Sequence, residues 1–349
     1  MTHQFIKGDR AMKAAVTREA GIIKMEEVPE PVMGPTQVKV KIVYTGLCGT
    51  DPENLEQRFG LMPPEAYKQA RILGHEASGT IAAIGSDVKG SFKVGQRVAM
   101  NFRGACGACY YCQNGMEHFC RQGSGASGSF AEYAVYPESA IYPLTDDIPL
   151  DIASMLEPVS VAVHAIDQAK VSTGSSVAIC GGGPIGLLCL EMALKAGAAR
   201  TLLSEPIAEK RTLAKKLGAD ATVDPFKEDL LEAGKKLTDG RGFNVVIDAS
   251  GSVKAAKECI SLADNKGTIL WAAVYGKDIE IGVSPFLMYA KELTITSTFV
   301  SPYSFPRALA LLPKLELKSL ITDIVPLKNV QEAFELHKKG KSIKILIKP

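Results

Sequence analysis

Cys106, Cys109, Cys112 and Cys120 are spaced C-x2-C-x2-C-x7-C. Four thiolates this close can close a tetrahedral cage around one zinc ion. Such a site is coordinatively full and a poor Lewis acid, so its work is to pin a loop-rich lobe. The rival readings, a disulfide pair or free thiols, fit this dense spacing poorly. A second candidate set has mixed chemistry: Cys48, within Gly46-Leu47-Cys48-Gly49-Thr50-Asp51, and the triplet Gly74-His75-Glu76. Sulfur, imidazole and carboxylate ligands together can leave one zinc position open to substrate. Taken alone, Cys48 reads as a loop residue and His75 as an ordinary satisfied histidine. Neighbouring residues on a regular strand point to opposite faces. His75 and Glu76 can therefore reach one ion only if Gly74 takes the chain out of strand geometry.

A third constellation lies further along, at Gly181-Gly182-Gly183-Pro184-Ile185-Gly186. It follows an apolar strand pattern and opens a helix pattern, the context a dinucleotide-binding loop requires. Gly181 would permit the tight turn, Gly183 would let backbone N–H groups reach a pyrophosphate, and Gly186 would let the helix pack close to the sheet. The helix N-terminus adds partial positive charge beneath the phosphates. Glu205 ends the next strand at the spacing expected of a ribose carboxylate. It would repel a 2′-phosphate, and Pro206 and Ile207 after it supply no arginine, so NAD is favoured over NADP. Arg211 is the residue that could still reach the adenosine end. Pro184, Ile185 and Ser250 complete the expected cofactor-binding set. The plainer alternative is a glycine turn in an α/β domain, with Glu205 a solvated strand end.

These sites need a frame. A length of 349 residues suits about two domains, and 46% apolar residues can fill a substantial core. With 22% charged residues the chain is not of the disordered class. The formal charge of +2, with no long basic run, argues against nucleic acid or an anionic membrane as the main partner. Met1 to Arg10 lack the apolar stretch of a secretory leader, and no segment has the length of a membrane span. With half of the eight cysteines at metal spacing, this predicts a cytoplasmic protein. Cys180, Cys189 and Cys259 fall in apolar patterns and read as buried small hydrophobes.

Residues 37 to 45 alternate at period two and predict a strand. Short strand-like runs follow, at Gly79 to Ile84, Arg97 to Asn101 and Phe130 to Tyr136, giving a β-rich first domain. After Leu156 the rhythm changes. A helix is expected over Val159 to Ala169, then a strand over Ser176 to Cys180 and a helix over Pro184 to Ala196. Further strands are expected at Thr201 to Glu205, Ala221 to Asp224, Asn244 to Ala249, Thr268 to Ala273 and Leu293 to Thr298. Helices such as Ile207 to Leu217 and Ser252 to Leu262 fill the gaps. Six alternating strands predict a doubly wound parallel sheet. A helix near Val330 to His337 and a strand over Ile343 to Lys348 then return to the first domain.

Gly46 to Asp51, Gly74-His75-Glu76, the four-cysteine lobe, Glu157-Pro158 and the glycine loop occur in an order that resembles the zinc-dependent medium-chain dehydrogenases. The branch is that of the sorbitol, butanediol, galactitol-phosphate and threonine dehydrogenases. The resemblance covers nearly the whole chain after Met12. It implies an α/β protein with a GroES-like β-barrel catalytic domain over residues 1–157 and 299–349, carrying the zinc lobe at about 104–122. It also implies a Rossmann NAD-binding domain with a six-stranded parallel sheet over residues 158–298, and an active cleft between the two. Cys48, His75 and Glu76 become expected catalytic zinc ligands, with Glu157 near the same metal. A thiolate, a neutral imidazole and one carboxylate already neutralise zinc. A second direct carboxylate would weaken its Lewis acidity, so Glu157 is expected to act through water or to exchange with Glu76.

The implied reaction oxidises an alcohol and delivers hydride to the nicotinamide ring, with Thr50 passing the proton towards the nicotinamide ribose. A turn hydroxyl bonding backbone is the competing role for Thr50. The chain departs from the family at Asp51-Pro52-Glu53-Asn54, where no histidine follows to end the relay. Bound water or Glu53 is left as its exit. The stretch from Gln57 to Ala70, with Met62-Pro63-Pro64, is also unusual and could shape the substrate pocket. The reading is an NAD-dependent secondary alcohol or polyol dehydrogenase with two zinc ions and a small-molecule alcohol substrate. A threonine-type amino alcohol dehydrogenase is the alternative. A non-catalytic zinc-stabilised NAD-binding protein is the alternative of another class. Family habit implies a homodimer or homotetramer, for which an edge strand at Ile281 to Pro285 is available.

Overall fold

Strand periodicity organises the first part of the chain. The computed structural model describes residues 10–58, 67–126 and 128–349. Its first strand, β1 (Ala11–Glu19), runs antiparallel to β2 (Ile22–Pro29). Met12, Ala14 and Val16 of β1 are buried at the strand spacing of two, and Ala15 and Thr17 are buried on its opposite face. In β3 (Gln37–Gly46), Val38, Val40 and Ile42 are buried at the same spacing. A turn at Leu47–Gly49 leads to the short helix α1 (Thr50–Leu55), and β4 (Arg71–Ile72) joins β1. Then come β5 (Glu76–Ile84), β6 (Arg97–Met100), β7 (Arg103–Gly104), α2 (Tyr110–Gln113) and β8 (Ser124–Gly125). Strands β9 (Tyr133–Pro137) and β10 (Ile141–Pro143) and helix α3 (Leu150–Ala153) complete this part.

The second part alternates. Helix α4 (Leu156–Ala169) leads to β11 (Ser176–Cys180), α5 (Pro184–Lys195), β12 (Arg200–Ser204), α6 (Ala208–Lys216) and β13 (Ala221–Val223). Next are α7 (Leu230–Leu237), β14 (Phe243–Asp248), α8 (Val253–Leu262), β15 (Ala263–Trp271), α9 (Pro285–Lys291) and β16 (Thr294–Ser297). The chain then adds α10 (Phe305–Leu311), β17 (Ile321–Pro326), α11 (Val330–Lys338) and β18 (Lys344–Lys348).

Two compact units result. The first runs to Glu157 and resumes at Phe305; the second spans Pro158–Ser304, beyond the expected limit at 298. In the first unit one sheet has the order β10-β6-β5-β3-β18-β17, with β9 also paired to β3. It curls round Val38, Val40, Ala77, Val98, Met100 and Tyr136. Strand β18 enters this sheet from far along the chain, antiparallel to β3 and parallel to β17. A second core, with Phe130 edge-on to Phe334 at 6.2 Å, packs α11 against the sheet's other residues.

In the second unit six strands are all parallel, in the order β13-β12-β11-β14-β15-β16. The chain order reverses on either side of β11, which opens a crevice at the carboxyl ends of the strands. Val177, Leu202, Val246 and Ile269 are fully buried, as expected of strands covered on both faces.

Two local expectations are corrected. The strand expected from Phe130 begins only at Tyr133, because Phe130 splits its backbone bonds between Leu73 and Ala15 instead of joining one ladder. No strand forms over Ile281–Pro285. There Ser284 caps α9, accepting from the Leu287 N–H at 3.3 Å, and Pro285 takes the first helical position. The edges of the sheet are β13 and β16, the latter within the strand expected over Leu293 to Thr298.

Candidate metal and dinucleotide sites

Strand β4 stops at Ile72 and β5 begins at Glu76. Between them Gly74 has φ +90°, and a Cβ there would lie 2.6 Å from the Phe130 ring. This break frees His75 and Glu76 from the alternation of a regular strand. Cys48 lies in the turn between β3 and α1. Its Sγ, a ring nitrogen of His75 and a carboxylate oxygen of Glu76 lie within 4.8 Å of one another. That spread suits a single zinc with three protein ligands and one open position.

Supporting groups fix this cluster. Asp51, 1% exposed, accepts from the Cys48 N–H at 2.9 Å and faces His75 Nδ1 at 3.5 Å. With Nδ1 turned to a carboxylate, Nε2 is the nitrogen available to a metal. Phe102 packs edge-on against the imidazole at 5.5 Å. Burial disfavours the imidazolium, but Asp51 and Cys48 outweigh it and push the His75 pKa well above the ordinary histidine value. Lys344 Nζ donates to Glu76 Oε1 at 2.8 Å and Oε2 at 2.6 Å, and to the Leu47 carbonyl at 3.2 Å. Both side chains of this pair are only 2% exposed. Burial works against the ammonium, yet Glu76 and Cys48 raise its pKa.

Glu157 falls in the first turn of α4, which starts earlier than the expected Val159, and is buried. Burial pushes its pKa up to about 7, with His75 and Lys344 opposing and Glu76 and Asp51 reinforcing. Thr50 opens α1, half-buried, and its hydroxyl has no hydrogen-bond partner among the described residues. Glu53 is 42% exposed and bonded to Arg58 at 3.3 Å. Met62-Pro63-Pro64, offered by the sequence as pocket-forming, lie outside the described residues.

The four lobe cysteines also meet. Sγ–Sγ separations are 3.5 Å for Cys109–Cys112, 3.8 Å for Cys109–Cys120 and 4.0 Å for Cys106–Cys112. A tetrahedral zinc with ordinary Zn–S bonds requires edges of about 3.8 Å, so these residues fit the ion. Arg103 ties the lobe together by donating to the carbonyls of His118 and Cys120, each at 2.9 Å. Burial disfavours the Cys120 thiolate, but N–H groups of Cys106 and Gln122 outweigh it and bring its pKa down to about 6. Burial and neighbouring thiols push Cys112 up to about 12. Cys180, Cys189 and Cys259 are buried free thiols.

In the second unit Gly181 ends β11's run with φ +106°, and a Cβ there would meet Ala249 and Ser250 backbone at 2.9 Å. Gly183 and Pro184 begin α5, with open space beside Gly183. Ile185 follows in the first turn, and a Cβ on Gly186 would collide with the Gly181 carbonyl. The loop is half-buried at Gly183–Ile185, at the N-terminus of α5, with its helix packed tightly behind, which fits a pyrophosphate. Glu205 is not a solvated strand end. It is 6% exposed, and its carboxylate accepts from Gly182 N–H at 2.7 Å and Ile207 N–H at 2.9 Å. Arg211 donates to the Glu205 carbonyl at 2.6 Å and pairs with Asp224 at 3.3 Å. The Ser250 hydroxyl donates to Asp248 at 2.6 Å.

Comparison with known proteins fits this geometry. A model described as alcohol dehydrogenase GroES-like domain matches residues 34–146, and one described as zinc-binding dehydrogenase matches residues 184–314. An L-threonine 3-dehydrogenase of Pyrococcus abyssi is 33% identical over 340 residues, covering 95% of this chain and 96% of its own. A sorbitol dehydrogenase of Halalkalibacterium halodurans is 34% identical over 351 residues, covering 97% and 99%. A crystal structure from Sinorhizobium meliloti 1021, bound to NADP, has a TM-score of 0.90 at 31% identity, covering 97% of this chain and all of its own (100%). The chain belongs to the zinc-binding alcohol dehydrogenase family, with its GroES-like domain and its Rossmann sheet. It is thus a zinc- and nicotinamide-dependent oxidoreductase of CH–OH donors.

Sequence reasoning missed Lys344, Asp248 and the role of Asp51. Asp51 stands three residues after Cys48, and that spacing was the available signal. Nothing local marks Lys344 or Asp248.

Proposed function

We propose that this chain oxidises a secondary alcohol or polyol to a ketone and passes the hydride to NAD. Cys48, His75 and Glu76 would hold the zinc used in catalysis, and Cys106, Cys109, Cys112 and Cys120 the zinc that shapes the lobe. The unit that ends at Glu157 and resumes at Phe305 would be catalytic, and Pro158–Ser304 would bind the dinucleotide. The convergence of thiol, imidazole and carboxylate within 4.8 Å carries this reading.

When bound, zinc supplies the Lewis acidity that lowers an alcohol's pKa. The protein's residues do the rest. Asp51 fixes the imidazole. Lys344 anchors Glu76 and offsets one negative charge. Thr50, two residues beyond Cys48 with an uncommitted hydroxyl, takes the substrate proton and passes it on. Glu157, buried in the first turn of α4 and within electrostatic reach of His75 and Glu76, would act on the same zinc through water or exchange with Glu76. Glu205 presents negative charge where a 2′-phosphate would lie, and Arg211 is already engaged by Asp224; both favour NAD over NADP. Glu53 is tied to Arg58 at the surface, which leaves water as the simpler relay exit.

A homodimer or homotetramer is proposed on the free edge of β16 and the exposed Phe286 and Tyr289 of α9. Cytoplasmic residence is proposed on eight free thiols, five of them arranged as metal ligands. No helix among the described residues is long and apolar enough to cross a membrane.

The test is a panel of sugar alcohols, diols and threonine, with NAD and NADP, on metal-replete enzyme. Polyol or diol oxidation with NAD is expected. Turnover of threonine alone would replace the polyol reading with the amino alcohol one, and preference for NADP would overturn the Glu205 argument.

A further inference from the structure

Asp248, the last residue of β14, has a fully buried carboxylate (0% exposed), and no lysine or arginine pairs with it among the described residues. A buried carboxylate without a counter-cation is costly unless hydrogen bonds replace its water. Four donors do so. The Ser250 hydroxyl bonds Oδ1 at 2.6 Å, the Ser250 N–H bonds Oδ1 at 3.3 Å, the Gly251 N–H bonds Oδ2 at 3.3 Å, and the Tyr275 hydroxyl bonds Oδ2. The Asp248 carbonyl also accepts from Ala272 N–H at 2.8 Å and Ala273 N–H at 3.1 Å. One residue therefore ties the turn after β14 to the segment after β15.

Its place in the sheet gives this knot a purpose. Strands β14 and β15 lie on one side of β11, and β12 with Glu205 lies on the other. A dinucleotide in a doubly wound sheet crosses the carboxyl ends of the strands, with its pyrophosphate at the first loop. An adenosine ribose at Glu205 puts the nicotinamide half over β14 and β15. The Ala249–Ser250 backbone already abuts Gly181 in that loop.

We propose that Asp248 and Tyr275 form a latch that sets the wall of the nicotinamide subsite, with Tyr275 a positioning residue. This rests on the dinucleotide reading above. Burial and Asp248 both push the Tyr275 phenol above the ordinary tyrosine range, so it remains a neutral donor. The experiment compares metal-replete parent enzyme with Tyr275→Phe and Asp248→Asn, measuring NADH affinity by fluorescence and AMP affinity by calorimetry. Loss of the latch bond should weaken NADH about tenfold in Tyr275→Phe while AMP stays within about twofold. Asp248→Asn should weaken NADH in the same sense. Unchanged NADH affinity, or equal loss of NADH and AMP, would overturn the latch. A parent enzyme that binds neither ligand would sink the dinucleotide reading itself, and the latch with it.

Discussion

Glu157 is surrounded by charges that pull its proton both ways. Burial wins, and the carboxyl is held to about 7 against an ordinary 4.5. The sign of the consequence follows from proton counting. Between those values the folded, metal-free protein keeps a proton that the unfolded chain releases, so stability falls as pH rises through the window. His75, raised above its ordinary value, adds a loss of the same sign as pH rises through its folded pKa. We expect Glu157→Gln to flatten part of this decline in zinc-free protein, leaving the variant several degrees more stable than the parent above about pH 7 and nearly equal at acid pH. Thermal melts across pH check this, and parallel curves would contradict it. At this scale the sequence was informative where ligand types recur at short spacing, as in the four cysteines and His75-Glu76. It was silent on Glu157's proton, because burial and four distant charges decide that and none is its neighbour in the chain.

Strand β18 shows why elements matter beyond their residues. Its pairing with β3, Leu346 to Gly46 and Ile347 to Thr45, and the Leu47 N–H bond to the Ile345 carbonyl at 2.9 Å, carry Lys344 to Glu76. Replacing one member of a buried ion pair costs about 3–5 kcal/mol because the other is left uncompensated. Lys344→Met should therefore destabilise the first unit by about that much and speed zinc loss to a chelator at the Cys48 site, without changing retention by the four-cysteine lobe. Chelator-competition kinetics with a metal-sensitive dye read both sites, and identical release from the two proteins would count against the role. Apolar periodicity made the strand over Ile343 to Lys348 visible in advance. Its neighbour in the sheet was not, since pairing between residues this far apart leaves no local pattern. A local conflict produced the extra edge strand: Ile281 to Pro285 alternates well enough, but the Ser284-Pro285 pair is a stronger helix start than that alternation is a strand.

At the scale of the molecule, β16 is the last strand of its sheet and has no partner on its outer side among the described residues. Unpaired edges invite another chain. Beside it in sequence, Phe286 and Tyr289 stand three apart on α9, 77% and 84% exposed, more aromatic surface than a lone protein usually leaves wet. We expect light scattering to give the mass of two or four chains, and Phe286→Glu with Tyr289→Glu to shift it towards one. A single-chain mass for the parent at all concentrations would refute assembly. The alternating pattern after Leu156 made the doubly wound sheet legible; the surface it leaves open was not, because exposure is a property of the finished fold. One last consequence concerns time. Lys344 follows Glu76 by 268 positions. A ribosome adding roughly 5–20 residues per second needs on the order of 15–50 s to cover that distance. Throughout that interval the thiol, imidazole and carboxylate have been synthesised while their compensating ammonium has not. The lobe's four thiols, complete once Cys120 is made, wait for no such partner, whereas the Cys48 site gains its charge balance only with the last strand.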